Sequence, residues 1–564
     1  MKFSQMEYRS PNPEVFRTSA DRLTETLKNA ASFDEADGAF REFESLCSGF
    51  DTACSICMVR HELNTLDKYY DAEFERIDEI SPKIEEKIQE FRKALVESPF
   101  RNDFDERYGS LLISDMELSL KTFSPEIMED LVEENRLTSE YTKLLASAQI
   151  EFGGQVLTIP QMSAEKQSPD DIRRRAAWES EAGFYTANGE KLDSIYDSLV
   201  AVRTRMARKL GFENFIPLGY ARMGRNCYSP EDIDRFRKAV VEYIVPLADS
   251  IYRDQAKRLG AEYPLSFSDS SLSFRSGNPN PTGTPDEILD HARRMYSEMS
   301  QETAEFADFM FENELLDVIS RHGKGVGGFC ISLEDYKSPF IFANFNGTSE
   351  DVETVTHEAG HAFAGYMARN VFPTEYSAPT LDACEIHSMS MEFFAWPWAE
   401  GFFGGATEKF KYSHLAGALK FIPYGTMVDH FQHSVYACPE MTPEDRHAEW
   451  RRLLGIYMPW IRLDSLPFYG EGKGWQRQSH IYQRPFYYID YCLAQTVSLE
   501  FFALMQKDRA DAWKKYITLV SFAGTKTFRD LVLDSGLEDP FGPALREASG
   551  AAGRWLSGID ASSF

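Results

Sequence analysis

Apolar residues recur with the period of an α-helix through most of residues 14–150, as in SPKIEEKIQEFRKALVESPF. Glycines are few in this region, so the pattern predicts long antiparallel helices. One strong strand signal interrupts the helical sequence: residues 327–348 predict two strands with a turn around Lys337–Pro339. A glycine pair within residues 150–163 predicts a smaller hairpin. We therefore expect a mainly α fold with a small antiparallel sheet.

The charge balance argues against several kinds of partner. The formal net charge is −29, whereas proteins that bind nucleic acid need clustered lysine and arginine. The same surplus of carboxylates argues against an anionic membrane surface. The sequence shows no signal peptide and no stretch of about 18 uninterrupted apolar residues. We expect a cytoplasmic protein without a nucleic-acid or membrane partner, and the sequence carries no signal for an oligomeric state.

The cysteine pattern is better explained by packing than by chemistry. The chain has eight cysteines, which are expected to be reduced thiols because no export signal accompanies them. Cys54 and Cys57 form one close pair, but the surrounding sequence has the helical period rather than the strand-to-helix junction of a redox motif. We interpret them as core cysteines, with redox or metal chemistry as the alternative.

The motif THEAGH contains two histidines four residues apart, with a glutamate directly after the first. The preceding Thr348–Ser349 pair is expected to cap a helix that runs through the motif. Because four residues make slightly more than one helical turn, His357 and His361 project from one face and can bind a single metal ion. Glu358 is offset by about 100° and can reach a metal-bound water without being a ligand. The motif therefore predicts a zinc site with a general base.

A third ligand is predicted in the next helical stretch, TLDACEIHSMSMEFFAWPW, residues 380–398. If the two helices cross, the Glu385 carboxylate can lie beside the two histidines, which leaves zinc one open position for catalysis. Glu392 or Asp382 is expected to hold the second ring nitrogen of a ligand histidine. His387 is the competing candidate on this helix, although it lies off the face that carries Glu385.

Two other patterns compete with this site. His430 and His433 are three residues apart, but no glutamate stands in the base position, so packing or a supporting hydrogen bond is the preferred interpretation. Residues Gly323–Gly328 match a dinucleotide-binding pattern, yet a predicted strand follows them where that motif requires a helix. We interpret these glycines as a loop that lets the backbone approach a ligand.

The segment HIYQRPFYYIDY, His480–Tyr491, combines one histidine with four tyrosines. Tyr487 and Tyr491 are four residues apart, and Tyr488 and Tyr491 three, so at least two phenols share a helix face. An aromatic core strip is one interpretation, because tyrosines are commonly part-buried. Beside a zinc site, the same side chains would be hydrogen-bond donors for a developing oxyanion.

These motifs, together with CEIHSMSMEFF and GVGGFC, resemble oligoendopeptidase F in the thimet oligopeptidase group of zinc metallopeptidases. The resemblance covers most of the chain and is strongest from about residue 200 to 550. It implies a two-lobed helical fold around a deep central channel, with zinc on the channel floor and the small sheet next to the zinc-binding helix. It also implies short, unstructured peptides as substrates.

The resemblance implies a role for each matching residue. One zinc ion per chain is bound by His357, His361 and Glu385, with Glu358 as the general base. His480 and one tyrosine are expected to donate hydrogen bonds to the tetrahedral intermediate. The segment after His480 is slightly shorter than in the thimet branch, which leaves the choice of tyrosine open: Tyr488 comes first, Tyr487 second, and Tyr491 is a further alternative.

The resemblance also suggests a domain division and a function. We expect an N-terminal helical lobe with a small hairpin over residues 1–190 and a zinc metallopeptidase catalytic domain over residues 191–564. The predicted activity is hydrolysis of internal peptide bonds in short oligopeptides by metal-activated water. One alternative is a peptidyl dipeptidase that trims C-terminal ends at the same zinc site, and another is a non-catalytic helical binding protein.

Overall fold

The computed structural model describes residues 1–325, 327–463 and 466–564. The chain divides into two compact units, each assembled from three separate segments. Unit 1 comprises Met1–Phe123, Asn280–Thr407 and Leu504–Asp539, and unit 2 comprises Ser124–Pro279, Glu408–Ala503 and Pro540–Phe564. The predicted domain boundary at residue 190 stays a prediction.

Helices make up most of both units, which confirms the predicted mainly α fold class. Unit 1 begins with α1 (Pro13–Lys28), α2 (Phe33–Leu63), α3 (Lys68–Val96), α4 (Arg101–Tyr108) and α5 (Ser110–Leu120). Unit 2 follows with α6 (Met128–Ala146), α7 (Ile159–Glu165), α8 (Asp171–Ala187), α9 (Gly189–Lys209), α10 (Phe215–Arg222), α11 (Pro230–Ala239) and α12 (Val245–Leu259).

The second half of the chain alternates between the units in the same way. The helices returning to unit 1 are α13 (Pro285–Met299), α14 (Gln301–Glu312), α15 (Ser349–Ala368), α16 (Leu381–Phe394) and α17 (Ala399–Phe403). The next segment carries α18 (Thr407–Ala437), α19 (Pro443–Tyr457), α20 (Ser479–Gln483) and α21 (Tyr488–Met505). The last helices are α22 (Arg509–Ser521) and α23 (Phe528–Asp534) in unit 1, and α24 (Ala544–Ser557) in unit 2.

Aromatic side chains from α2, α3 and α4 form much of the core in the first part of unit 1. Phe40, Phe43, Phe91 and Phe104 are all buried, and the rings of Phe43 and Phe91 stack with centroids 3.8 Å apart. Full burial of such a side chain stabilises the fold by about 1.5–3 kcal/mol. The helical periodicity of residues 14–150 therefore marks the buried faces of these helices.

In the described parts of the chain, the short strands form three small sheets. They are β1 (Ile150–Phe152), β2 (Gln155–Leu157), β3 (Leu265–Ser266), β4 (Leu316–Asp317), β5 (Phe329–Leu333), β6 (Ser338–Phe342) and β7 (Ile461–Arg462). Strands β1 and β2 pair antiparallel and confirm the predicted small hairpin, while β3 and β7 form a short parallel pair. In unit 1 the strand order is β4-β6-β5, with β5 and β6 antiparallel and β4 parallel to β6.

The β5–β6 hairpin precedes α15 as predicted, but its turn was predicted too late in the sequence. The chain turns at Glu334–Tyr336, and Lys337 follows in a left-handed conformation with φ 49°. Pro339 is not part of the turn, because it lies in β6 and pairs with Ser332. Proline is tolerated there because β4 reaches β6 only farther along, at Ile341 and Phe342.

The remaining global features agree with the sequence. All eight cysteines lie among the described residues and are free thiols. Cys54 and Cys57 both lie on α2, so the pair is part of a helix as predicted. Cys57 is buried. Among the described residues, no helix combines the length and the apolar composition needed to cross a bilayer.

Candidate metal centre

Helices α15 and α16 carry the motif residues, and each begins where the sequence predicted. Thr348 precedes α15, and its Oγ1 accepts a hydrogen bond from the backbone N–H of Glu350. Asp351 accepts two backbone N–H bonds at the same end, from Asn346 and Gly347, both at 2.7 Å. Such side-chain caps stabilise a helix start because its first N–H groups have no partner within the helix.

A glycine lets α15 and α16 cross at unusually short range. A Cβ atom built on Gly360 would lie 2.6 Å from Cα of Ser388 and 2.7 Å from the backbone oxygen of His387. No other residue type fits such a contact without separating the helices. Gly360 is not among the residues predicted from the sequence, although its place inside the motif, one residue before His361, is a signal for it.

This close crossing brings three candidate ligand atoms together. Nε2 of His357 and Nε2 of His361 lie 3.4 and 3.5 Å, respectively, from Oε2 of Glu385. One donor atom from each of the three residues lies within 4.8 Å of the others, and no other set of three such residues meets this condition in the described parts of the chain. Neutral imidazole nitrogens and a carboxylate oxygen are ligands that zinc accepts.

Two further side chains support these ligand atoms. Oε1 of Glu392 lies 2.7 Å from Nδ1 of His357, so Glu392 is the candidate that supports this ring. Asp382, the other candidate, accepts hydrogen bonds from Thr380 and Ala383 at the start of α16. Ser388 Oγ donates to Oε2 of Glu385 at 3.2 Å.

Burial and charge act against each other in this cluster. Burial lowers the pKa of His357, but hydrogen bonds to Glu385 and Glu392 outweigh burial and hold that pKa well above its usual range. Burial raises the pKa of Glu385, but the two histidines outweigh it and bring the pKa well below the usual value. Burial also raises the pKa of the Glu358 carboxyl, and the histidines oppose this shift. Glu358 therefore holds a proton more readily than an exposed glutamate does.

The rival histidines have other surroundings. His387 is 2% exposed, and burial lowers its pKa to about 3, so the ring is neutral. Nδ1 of His430 lies 3.0 Å from the Tyr457 hydroxyl. Nε2 of His433 likewise lies 3.0 Å from the Tyr220 hydroxyl. These three histidines are not in the three-residue group. Burial of His387 agrees with a role in packing, and the contacts of His430 and His433 agree with roles in hydrogen bonding.

The glycine-rich loop comprises residues 323–328, of which Val326 is outside the described residues. Its described part lies against α2 and the residues after it. The Thr65 backbone N–H donates to the oxygen of Gly323, and the Gly325 N–H donates to the oxygen of Glu62. Strand β5, rather than a helix, begins directly after this loop. The loop therefore lacks the helix N-terminus that binds the phosphates in a dinucleotide site.

His480 and three tyrosines of its segment, Tyr487, Tyr488 and Tyr491, form a cluster within unit 2. The centroid of the His480 ring lies 4.9 Å from that of Tyr488, 5.7 Å from Tyr487 and 6.1 Å from Tyr491. Gln478 Nε2 lies 2.8 Å from Nδ1 of His480. Unit 2 thus brings together all four predicted donors, and the choice among the tyrosines stays a prediction.

Comparisons with known proteins agree with the fold and identify a family. Residues 3–123 match the Peptidase M3 N-terminal domain, and residues 295–550 match Peptidase family M3. A comparison with curated proteins gave no match.

Solved structures provide full-length relatives. The crystal structure of a candidate oligoendopeptidase F shares 42% identity with the chain at a TM-score of 0.96, and both chains are covered completely. Pz peptidase A, solved with an inhibitor, is 43% identical with a TM-score of 0.95 and complete coverage of both chains. A candidate oligoendopeptidase F from Bacillus anthracis is 41% identical with a TM-score of 0.91, covering 100% of this chain and 99% of its own. These findings confirm the resemblance to oligoendopeptidase F, and the chain belongs to peptidase family M3.

Proposed function

We propose that the protein is a zinc-dependent endopeptidase that hydrolyses internal bonds of short, unstructured peptides. His357, His361 and Glu385 would bind one zinc ion per chain. The observation that carries this proposal is the convergence of one donor atom from each residue within 4.8 Å. Membership of a peptidase family supports peptide hydrolysis and removes the support for a non-catalytic binding protein.

The donor set suits a catalytic zinc ion. Structural zinc sites normally fill all four positions with protein ligands, whereas catalytic sites use three and leave one open. Glu392 would accept a hydrogen bond from Nδ1–H of His357, which leaves Nε2 as the nitrogen that binds a metal. Zinc bound there would polarise the scissile carbonyl and make water a nucleophile near neutral pH.

Glu358 has the properties of a general base. It follows His357 directly on α15, and its carboxylate has no hydrogen bond or ion pair with any residue in the described ranges. Because burial raises its pKa, it can accept the proton of the attacking water and then pass that proton to the leaving amine. The neighbouring histidines would be occupied as ligands, so this role falls to Glu358.

The His480 cluster would supply hydrogen-bond donors. We assign His480 and Tyr488, with Tyr487 as second choice, to donation toward the oxygen of the scissile carbonyl as negative charge develops. The clustering of these side chains supports the assignment, because donors fixed by mutual packing need little reorganisation during the reaction.

The substrate class follows from the relatives and from the sheet. Two of the similar proteins are described as oligoendopeptidase F and one as Pz peptidase A. In the described part of the sheet, β5 is an edge strand with no partner beyond it. A peptide can add to such an edge through its backbone, a mode that tolerates many side chains.

Glu358→Gln tests the mechanism. The variant should bind one zinc ion per chain, as measured by metal analysis, while peptide cleavage falls by about 100-fold to 10,000-fold, because a general base contributes that range. Undiminished cleavage in the variant would refute the role of Glu358. Mass spectrometry of products from a C-terminally amidated peptide then tests the endopeptidase activity, since internal cuts must persist when no free C-terminal carboxylate is present.

A further inference from the structure

A backbone feature of unit 2 lies between His480 and the first candidate tyrosines. Phe486 has a φ of 67°, in the left-handed region that side chains other than glycine rarely adopt. A bulky residue keeps such a conformation only where its surroundings enforce it, and such residues cluster at functional sites. The next two residues are Tyr487 and Tyr488, so the conformation of Phe486 sets the direction in which both leave the turn.

Two side chains hold the peptide groups of Phe486. Gln432 on α18 accepts a hydrogen bond from the Phe486 N–H at 3.0 Å, and Arg225 Nη2 donates to the Phe486 oxygen. The phenyl ring is fully buried, and Gly219 on α10 makes room for it: a Cβ atom there would lie 2.5 Å from Cδ2 of Phe486. The left-handed conformation is thus fixed by hydrogen bonds to the Phe486 N–H and carbonyl groups and by the packing of its ring.

Arg225 links this turn to the helix that carries the tyrosines. The same Nη2 atom donates to Oδ1 of Asp490 at 2.8 Å, in the first turn of α21. The Arg225 side chain is 1% exposed, and its guanidinium lies 4.3 Å from the centre of the Tyr220 ring. Nε and Nη1 have no hydrogen-bond acceptor among the described residues. One nitrogen atom therefore connects the residue before Tyr487 with a residue after Tyr488.

We propose that Arg225 is a positioning residue for the reaction, acting through Phe486 and Asp490 to orient Tyr487 and Tyr488 toward His480. A buried ion pair generally adds little net stability compared with apolar packing, so directing the tyrosines gives this pair a function beyond holding the fold together. The inference rests on the proposed function only through the role of the tyrosines.

A double-mutant cycle tests this inference. Tyr487→Phe and Tyr488→Phe are measured first with a fluorogenic peptide, and the variant with the lower kcat serves as the second background. Arg225→Lys keeps the charge, but the lysine nitrogen ends one bond short of the Nη2 position that makes both hydrogen bonds. In the wild-type background it should lower kcat by about 10-fold to 100-fold with KM changed less than about twofold, as expected for a misplaced donor. In the tyrosine-variant background, its further effect on kcat should be less than about twofold.

Two further variants keep the result interpretable. Asp490→Asn leaves Arg225 in place but removes the carboxylate charge that its Nη2 bonds, so it should show the same coupling; it decides the question if Arg225→Lys does not fold. Arg174→Lys is the matched control, because Arg174 is a buried arginine of unit 2 paired with Asp171 and Asp269. Any loss that it causes should be equal in both backgrounds.

The outcomes separate the two proposals. If a tyrosine variant has a lowered kcat but Arg225→Lys lowers kcat by the same factor in both backgrounds, the positioning inference is wrong while the proposed function stands. It is also wrong if Arg225→Lys folds and leaves kcat unchanged, or if Arg225→Lys does not fold and Asp490→Asn leaves kcat unchanged. If neither tyrosine variant lowers kcat, the proposed role of the tyrosines fails and the positioning inference fails with it.

Discussion

Oε1 of Glu392 lies 2.7 Å from Nδ1 of His357, across the crossing of α15 and α16. This contact fixes which ring nitrogen carries the proton, and partners of this kind typically contribute 10-fold to 100-fold to metal affinity. Glu392→Ala should therefore weaken zinc binding by about that factor, as measured by competition with a chelator of known affinity. Glu392→Gln keeps an acceptor oxygen and should lose less. Equal zinc affinity in wild type and Glu392→Ala would contradict the assignment.

The contact of Gly360 with Ser388 predicts a second effect on the same site. Gly360→Ala would place a methyl group 2.6 Å from Cα of Ser388, so the helices must separate. We expect a loss of about 1–3 kcal/mol in the free energy of unfolding of the metal-free protein, as for overpacking, and weaker zinc binding because Glu385 moves away from the histidines. Chemical denaturation and zinc titration measure the two effects.

Gly365 on the same helix provides the matched control. A Cβ atom there would have only Pro339 Cβ nearby, at 3.9 Å. Gly365→Ala should therefore be neutral or stabilising by up to about 1 kcal/mol, because alanine is the better helix former. If both glycine variants behaved alike, the close crossing at Gly360 would not be the cause.

The sequence predicted best those parts of the site that depend on local spacing. His357 and His361 share a helix face because they are four residues apart, and the helix itself follows from its cap at Thr348. Glu385 could be assigned only as a candidate, because its position depends on how closely the helices cross. That distance is determined by the contact of Gly360 with Ser388. The helical periodicity of the sequence does not reveal such a contact between two helices.

Other features were missed for equally physical reasons. Strand β4 has two residues, Leu316 and Asp317, too few for an alternating pattern to be visible. The sequence predicts the hairpin turn at Lys337–Pro339, but Pro339 lies in β6, where β5 is the partner and β4 pairs only farther along. The two units are each built from three distant segments, a property of long-range contacts that local sequence patterns do not encode.

A buried glutamate in unit 1 predicts pH-dependent stability. Glu44 on α2 is 3% exposed, and its Oε2 accepts the backbone N–H of Thr374 at 2.9 Å. Burial, followed by repulsion from Glu375, raises the pKa of Glu44 to about 9. The folded protein therefore binds this proton more tightly than the unfolded chain does, so the contribution of Glu44 to stability falls as pH rises from about 4.5 to about 9.

Glu44→Gln removes this dependence. Its amide can donate to Glu375 in place of the proton, so the variant should be more stable than wild type at neutral pH by about 1–3 kcal/mol, with a larger gain toward pH 9 and almost none near pH 4.5. Denaturant unfolding at these pH values measures the difference. Glu42→Gln is the control, because Glu42 lies on the same helix in an exposed ion pair with Arg22 and should change stability little at any pH. A gain for Glu44→Gln that does not vary with pH would contradict the assignment.

The final prediction concerns the protonation of His480. Gln478 Oε1 accepts the Tyr424 hydroxyl at 2.9 Å, which orients its amide nitrogen toward Nδ1 of His480 at 2.8 Å. Nδ1 then accepts a hydrogen bond from this amide, and Nε2 carries the ring proton. Nε2 is therefore the nitrogen that can donate to an oxyanion. Gln478→Glu would reverse this arrangement, because a carboxylate accepts from Nδ1–H and leaves Nε2 without its proton at neutral pH.

We expect Gln478→Glu to lower kcat by about 10-fold to 100-fold at pH 7.5, a loss near that of removing one oxyanion donor. The ratio of variant to wild-type kcat should rise as pH falls, because a protonated imidazole carries hydrogen on both nitrogens. A series of kcat measurements between about pH 5.5 and pH 8.5 tests this, with Tyr424→Phe as a milder control that loosens the amide without adding charge. A ratio that is independent of pH would show that the tautomer of His480 does not control the rate.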